Sequence, residues 1–556
     1  MKFMFTIFIL FTILFYENSA LDFDNYTLYI NQLSYDENFL DEYTKWSLKL
    51  FSQPDYLYGD RHNRFSCTID NFKNNYSTPT SVHQLRPNDI KCIGAMGDSL
   101  TTGLAAQAIA PTVLLFESRG ISWSIGGDYT YSKFPSIPNT LREYNPDLQG
   151  FSTTVSMMSS NDDNATDNGL NVANFGDRSI HIPFQAELLI DRIKTEQLCD
   201  WNNDWKLITL FIGVNDLCSF CEDSDSSKST PERYLINVRE ALDTLYKTPM
   251  PRTLVNLVLP SDIRSIQERT NGGYVCQLLL KRICPCAAFP TVQQAKILND
   301  YIKQYHQLLI KLINSGRYDE RDDFTVVIQP FMTNIDLPSK DNQNIDFSYF
   351  APDCFHFSGK GHSLAALSLW NNMFEPVGGK HSSWYTNESL KCPTKEYPYI
   401  FTSKNSAKAL NELKHTTRMQ TTKTIQTSKA QTSTMQKSTM MSNISRTITV
   451  AKYHHEDKET IPKSSMNRKQ IFGLTVLSIA IVIIIASIIR RRRGTRMVNS
   501  PFAQRDFNSF HNPQRVDGDD EDDDGDAEVW NRPNTDAVYL DDDKTTKTHG
   551  TRIAFE

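Results

Sequence analysis

Four stretches of nearly unbroken apolar residues limit what this chain can fold into. They run over residues 90–96, 205–212, 253–259 and 324–331, and the first three are closed by Gly97, Gly213 and Pro260. A strand with one wet face alternates polar and apolar residues; these do not, so each fits a strand covered on both faces. Stripes at helical spacing lie between them. Leu235, Val238, Leu242 and Leu245 follow the start signal Ser229-Thr230-Pro231-Glu232, and Leu298, Ile302, Tyr305, Leu309 and Leu312 precede Gly316. This alternation predicts an α/β fold: a mainly parallel sheet in a three-layer α/β/α sandwich. Sites in such folds form at the carboxyl ends of strands, which directs attention to the residues after Met96 and Ile212.

The rest of the chain is strongly segregated. Residues 1–20 read as a secretory signal, with Lys2, an apolar run and a small-residue cleavage site at Ala20. Residues 21–404 hold the cysteines and the strand-like runs and form the expected folded ectodomain. A Ser/Thr-rich segment over 405–470 cannot bury enough apolar surface to fold, and reads as a stalk. Residues 471–489 are apolar and, as a helix, span about 28 Å, enough to cross a bilayer. Arg490 to Arg493 then mark a cytoplasmic side, and 490–556 form an acidic tail with the run 519–524. The expected topology is a single-pass type I membrane protein with its folded part outside. A net charge of −7, from 58 basic and 65 acidic residues, argues against nucleic acid as a partner.

Ten cysteines, all between the two apolar runs, suggest disulfides, although the sequence leaves the pairing open. Cys218-x-x-Cys221 and Cys284-x-Cys286 also have spacings used for zinc, a reading that an oxidising compartment disfavours. Asn25, Asn75, Asn164, Asn387 and Asn443 stand in glycosylation sequons on the external side.

Four short motifs carry the candidate chemistry. Ser99, in Gly97-Asp98-Ser99-Leu100, sits where a strand passes into a helix, a place that exposes a hydroxyl near helix-start amides; serine there also serves as a plain helix cap. Asn215, in Gly213-Val214-Asn215-Asp216, offers an amide to an oxyanion or simply makes a turn. A serine hydroxyl needs a base, and histidine is the residue type suited to that role, which makes His356 the candidate; Asp353, three residues earlier, is placed to orient it. Gly176 lets a backbone amide approach a ligand or is an ordinary loop glycine.

Together, the order Ser, Gly, Asn and Asp-x-x-His resembles the SGNH/GDSL hydrolases, which share a flavodoxin-like arrangement. Residues 119–128, 205–216, 251–258 and above all 350–370 resemble the membrane-associated phospholipase B subgroup. The resemblance implies a three-layer α/β fold and removal of fatty acids from glycerophospholipids and lysophospholipids. It makes Ser99 the nucleophile, His356 the base, Asp353 its orienter, and Gly176, Asn215 and the Ser99 amide the oxyanion donors. Gly126 and Gly127 lie in a family-like stretch without an assigned role. The scheme needs no cofactor and no metal. Vertebrate members of the subgroup carry several catalytic repeats where this chain shows one, and residues 151–169 read as a polar insertion ahead of Gly176. Two other readings fit the same motifs: an esterase for neutral lipids such as retinyl or acylglycerol esters, and a catalytically silent surface-binding ectodomain.

Overall fold

The computed structural model describes residues 23–412, apart from 59–63, 70–76, 159–164, 223–227, 335–344 and 385–388. The signal segment, the apolar run at 471–489, Arg490–Arg493, the acidic tail and most of the stalk lie outside the described residues, as do Asn75, Asn164, Asn387 and Asn443. Among the described residues no helix is long and apolar enough to cross a membrane.

In chain order the helices are α1 (Phe23–Leu33), α2 (Glu37–Phe51), α3 (Ser99–Thr102), α4 (Ile137–Tyr144), α5 (Ala165–Asn168), α6 (Ile182–Thr195), α7 (Val214–Ser219), α8 (Pro231–Lys247), α9 (Ile266–Arg269), α10 (Tyr274–Ile283), α11 (Pro285–Ala288), α12 (Val292–Asn314) and α13 (Gly359–Met373). The strands are β1 (Ile90–Gly97), β2 (Phe116–Glu117), β3 (Ser156–Met157), β4 (Trp205–Phe211), β5 (Thr253–Val258) and β6 (Phe324–Gln329). The four apolar runs are therefore β1, β4, β5 and β6. They form one parallel sheet in that spatial order, with Gly97 opposite Phe211 and Phe211 opposite Val258. Every residue of β4 and β5 is buried, as expected of strands covered on both faces.

The helices form for the reasons their sequences give. Thr230 caps α8 by accepting from the Arg233 amide, with Pro231 in the first turn. Thr291 and Gln294 close a capping box on α12. Tyr234 of α8 and Tyr305 of α12 stack at 3.9 Å between ring centres, joining these helices into one layer. On α13, Met373 accepts a hydrogen bond from Asn256 of β5.

The free edge of β1 is covered in two pieces. The Ile93 amide donates to the Gln149 carbonyl, and the Ala95 amide donates to that of Leu170, both at 3.0 Å. The chain thus meets the sheet edge at Gln149 and again at Leu170, on neighbouring rungs that flank the polar segment. The Gly126 and Gly127 amides pair with the carbonyls of Ser122 and Ser152, fixing this loop to the family-like stretch. A methyl on Gly126 would overlap the Ser122 amide and the Gly120 carbonyl, so Gly126 lets the backbone of this stretch fold closely on itself.

All ten cysteines are paired: Cys67–Cys392, Cys92–Cys199, Cys218–Cys284, Cys221–Cys286 and Cys276–Cys354. The two short-spaced cysteine pairs are consumed in bonding to each other and do not form a zinc site. Ordered contacts continue past residue 404, since Asn405 donates to the carbonyls of His83 and Ile400, and Ser406 to that of Thr402.

Because the atoms facing Gly126 are backbone and cannot swing aside, Gly126→Ala is expected to lower stability by about 2 kcal/mol or more. A thermal melt should show a clear drop in Tm; an unchanged melt would contradict the close approach.

Candidate active site

The site begins with the short turn that follows β1. Ser99 opens α3, a helix of one turn capped by the Asp98 carboxylate, which accepts from the Leu100 amide at 2.9 Å. Asp98 therefore does the capping, and the Ser99 hydroxyl is released from that task. With only four residues, α3 has little macrodipole, so any help to an anion here comes from individual amides.

The Ser99 hydroxyl donates to His356 Nε2 at 2.9 Å. On the far side of the ring, His356 Nδ1 donates to Asp353 Oδ2 at 2.6 Å, which fixes the proton on Nδ1 and leaves Nε2 as the acceptor. The second Asp353 oxygen accepts from the amides of Phe355 and His356, each at 3.0 Å. All three side chains are buried, with Ser99 3% exposed, His356 2% and Asp353 0%. Burial alone would raise the Asp353 pKa. The neighbouring His356 charge, its hydrogen bond and the two amides outweigh it and hold the carboxyl below the usual range.

The turn that presents these groups is tightly closed. Phe350 and Phe357 pair as an antiparallel bridge, and the Ala351 amide donates to the His356 carbonyl at 2.8 Å. Cys354 holds a left-handed backbone with φ 63° and is bonded to Cys276 of α10. Arg269 lies over the Phe350 ring at 4.1 Å and donates to the Phe355 carbonyl at 3.3 Å. Burial pushes its pKa down to about 9, against the pull of Asp353. One turn into α13, His362 accepts from the Trp123 amide at 3.3 Å. Burial first, then the charge of His356, pushes its pKa down to about 3, so it stays neutral beside the working histidine.

Asn215 and Gly176 meet across a second cluster. Asn215 lies in the first turn of α7, and its amide donates to the Asp177 carbonyl at 2.9 Å. Gly176 holds φ 71° and borders the same small depression as Asn215. Asp216, next to Asn215, accepts from the Ser179 amide at 2.9 Å and the Ser179 hydroxyl at 2.6 Å, pinning the segment after Gly176 to α7. Among the described residues no direct hydrogen bond joins this cluster to Ser99. The link runs through the Gly97 carbonyl, which accepts from the Asn174 amide at 3.3 Å, and through the pairing of β1 with β4.

Several supporting residues gave no reading in the sequence. Gln185 of α6 both accepts from the Gly97 amide and donates to the Gly97 carbonyl, each at 2.8 Å, and also donates to Asp177 at 2.6 Å. It ties the glycine that opens the Gly-Asp-Ser turn to the residue after Gly176. Arg119 pairs with buried Glu117 and donates to the carbonyls of Asn171 and Ala173, holding the approach to Gly176. Arg119 at least opens one of the family-like stretches; Gln185 lies in no motif at all.

This arrangement allows acyl transfer to a hydroxyl, with a base at 2.9 Å and an orienter behind it. Comparison with known proteins agrees. Residues 93–369 match the GDSL-like lipase/acylhydrolase family, and this part of the chain belongs to it. Within that family the chain falls with the phospholipase B1-like subgroup. It is 40% identical over 349 residues to "Phospholipase B1, membrane-associated" of Homo sapiens and 39% identical over 346 residues to that of Rattus norvegicus. The protein of that name in Mus musculus is 40% identical over 335 residues. These matches cover 62%, 61% and 59% of this chain, but only 23%, 23% and 22% of the relatives, so the chain spans under a quarter of their length.

Asp98 is buried at the root of the site, and burial raises its pKa to about 7, with Asp177 and Asp216 adding to the rise. The folded state thus binds its proton more tightly than the unfolded chain does, and stability falls as pH rises between about 4 and about 7. Asparagine keeps the cap without the charge. The Tm advantage of Asp98→Asn over the parent should grow from pH 4 to pH 7 and level off above; a constant difference across that range would contradict the buried charge.

Proposed function

We propose that the chain is a lipid ester hydrolase of phospholipase B type, releasing fatty acids from glycerophospholipids and lysophospholipids through an acyl-serine intermediate. The observation that carries this reading is the unbroken line Ser99–His356–Asp353 at 2.9 and 2.6 Å. Ser99 Oγ attacks the ester carbonyl while its proton moves to His356 Nε2. The carbonyl electron pair moves onto oxygen, and the resulting oxyanion takes hydrogen bonds from Asn215, Gly176 and the Ser99 amide. Collapse expels the glycerol-side alcohol, which takes the proton back from His356. Water, deprotonated by the same imidazole, then frees the fatty acid and restores Ser99.

The setting proposed for this chemistry is the outer face of a membrane, with the catalytic part held outside by a single type I span at 471–489. Five disulfides in one body suit an oxidising compartment. Three relatives are named membrane-associated. The phospholipid preference rests on the names of those relatives and on the resemblance over 350–370.

Ser99→Ala is expected to abolish labelling by a fluorophosphonate probe. Asn215→Ala should lower kcat by about 10²–10³ while leaving labelling detectable. Fatty-acid release from phosphatidylcholine, lysophosphatidylcholine and neutral esters, measured side by side in chelator, tests the substrate. Turnover of neutral esters alone would overturn the phospholipase reading, and labelling that survives Ser99→Ala would overturn the nucleophile.

A further inference from the structure

The first described helices stand outside the family match at 93–369, yet they reach the turn that carries His356. Asp36 caps α2 by accepting from the amides of Asn38 and Phe39, and Phe39, Tyr43, Trp46, Ser47 and Leu50 form its buried face. From that face Trp46 Nε1 donates to the Pro352 carbonyl at 3.0 Å, across 306 residues of chain. Its ring meets Phe347 edge-on at 5.1 Å. Beyond α2, the Tyr56 hydroxyl donates to the Phe350 carbonyl at 3.2 Å, and the Tyr56 carbonyl accepts from the Lys360 amide at 3.0 Å. Trp46 and Tyr56 are 8% and 2% exposed.

These contacts matter because the internal hydrogen bonds of the turn are all local. The Ala351–His356 and Cys354–Ala351 bonds and the Phe350–Phe357 bridge make the turn stiff, but they do not fix its angle to the sheet. The ties to other elements do. Cys276 holds Cys354 and Arg269 holds Phe355 from α9 and α10. Trp46 holds Pro352, directly before Asp353, and Tyr56 holds Phe350, from the N-terminal segment. With ties on one side only, the turn is free to pivot, and a shift of about 1 Å between reacting groups costs on the order of 10² in rate.

We propose that residues 37–58 are a working part of the catalytic unit, in which Trp46 and Tyr56 are positioning residues that set the angle at which His356 reaches Ser99. This rests on the acyl-serine reading. The charged and titratable groups facing the pair are Arg269, His362, Tyr26, Tyr43 and Tyr56. Burial first, with Asp353 contributing, keeps the three phenols protonated, so Tyr56 remains a donor.

The test uses the full chain, with Trp46→Phe, Tyr56→Phe and the double variant, each of which keeps a ring in place and removes a donor. Leu48→Ala, on the exposed side of α2, is the control. Turnover of a soluble short-chain ester is divided by the number of sites counted at the end-point of fluorophosphonate labelling. Each single variant should lower kcat per labelled site about fivefold, and the double variant about 25-fold, with KM within twofold of the parent. Leu48→Ala should change none of these. An unchanged kcat per labelled site in the double variant, with only Tm lowered, would overturn the proposal. If the double variant yields no labelled sites, Tyr56→Phe alone decides, since it deletes a single oxygen. Turnover that persists in Ser99→Ala would instead overturn the acyl-serine reading itself.

Discussion

A carboxylate with no exposed surface depends wholly on its partners, and Asp353 is such a group. An isolated buried charge is too costly to persist and would take up a proton instead. Asp353 avoids this by accepting from one imidazole and two backbone amides, the amides belonging to residues two and three places further on. The same bonds that keep it ionised shape the chain into a turn and point His356 back toward β1. Charge compensation, loop geometry and the orientation of the base are therefore one interaction. The turn in turn explains why Cys354 takes a left-handed backbone and why Cys276, Arg269, Trp46 and Tyr56 converge there.

A second organising feature is the segment 274–288. Through Cys276 it is bonded to the His356 turn, and through Cys284 and Cys286 to Cys218 and Cys221 at the end of the short helix that carries Asn215. Both sides of the proposed site are thus covalently fixed to one piece of chain. Catalysis by preorganised donors needs this, because donors that must move into place lose much of their advantage over water.

Local signals decided how much the sequence revealed. The four central strands were legible to within two residues, because burial on both faces leaves continuous apolar runs. Helices α8 and α12 announced themselves by stripe and cap. Ser99 and His356 were legible through their own turns, and Asp353 through its spacing from His356. Long-range facts were not. The disulfide partners lie 65 to 325 residues apart, and no spacing rule selects among so many pairings. Nor did any pattern mark Trp46 or Tyr56, whose importance lies in carbonyls some 300 residues away. The polar insertion at 151–169 was legible from its composition, but the two edge contacts that flank it, at Gln149 and Leu170, were not.

In the proposed reaction one hydroxyl and one imidazole meet at a single reacting carbon, whose oxyanion is held by Asn215, Gly176 and the Ser99 amide. The most direct measurement is a crystal structure of the protein after reaction with an alkyl fluorophosphonate. Phosphorus should be bonded to Ser99 Oγ, with His356 Nε2 within hydrogen-bonding distance of the adduct and the phosphoryl oxygen between the Asn215 side-chain amide and the Gly176 backbone amide. Phosphorus on any other residue, or a phosphoryl oxygen turned away from both Asn215 and Gly176, would contradict the proposed reaction.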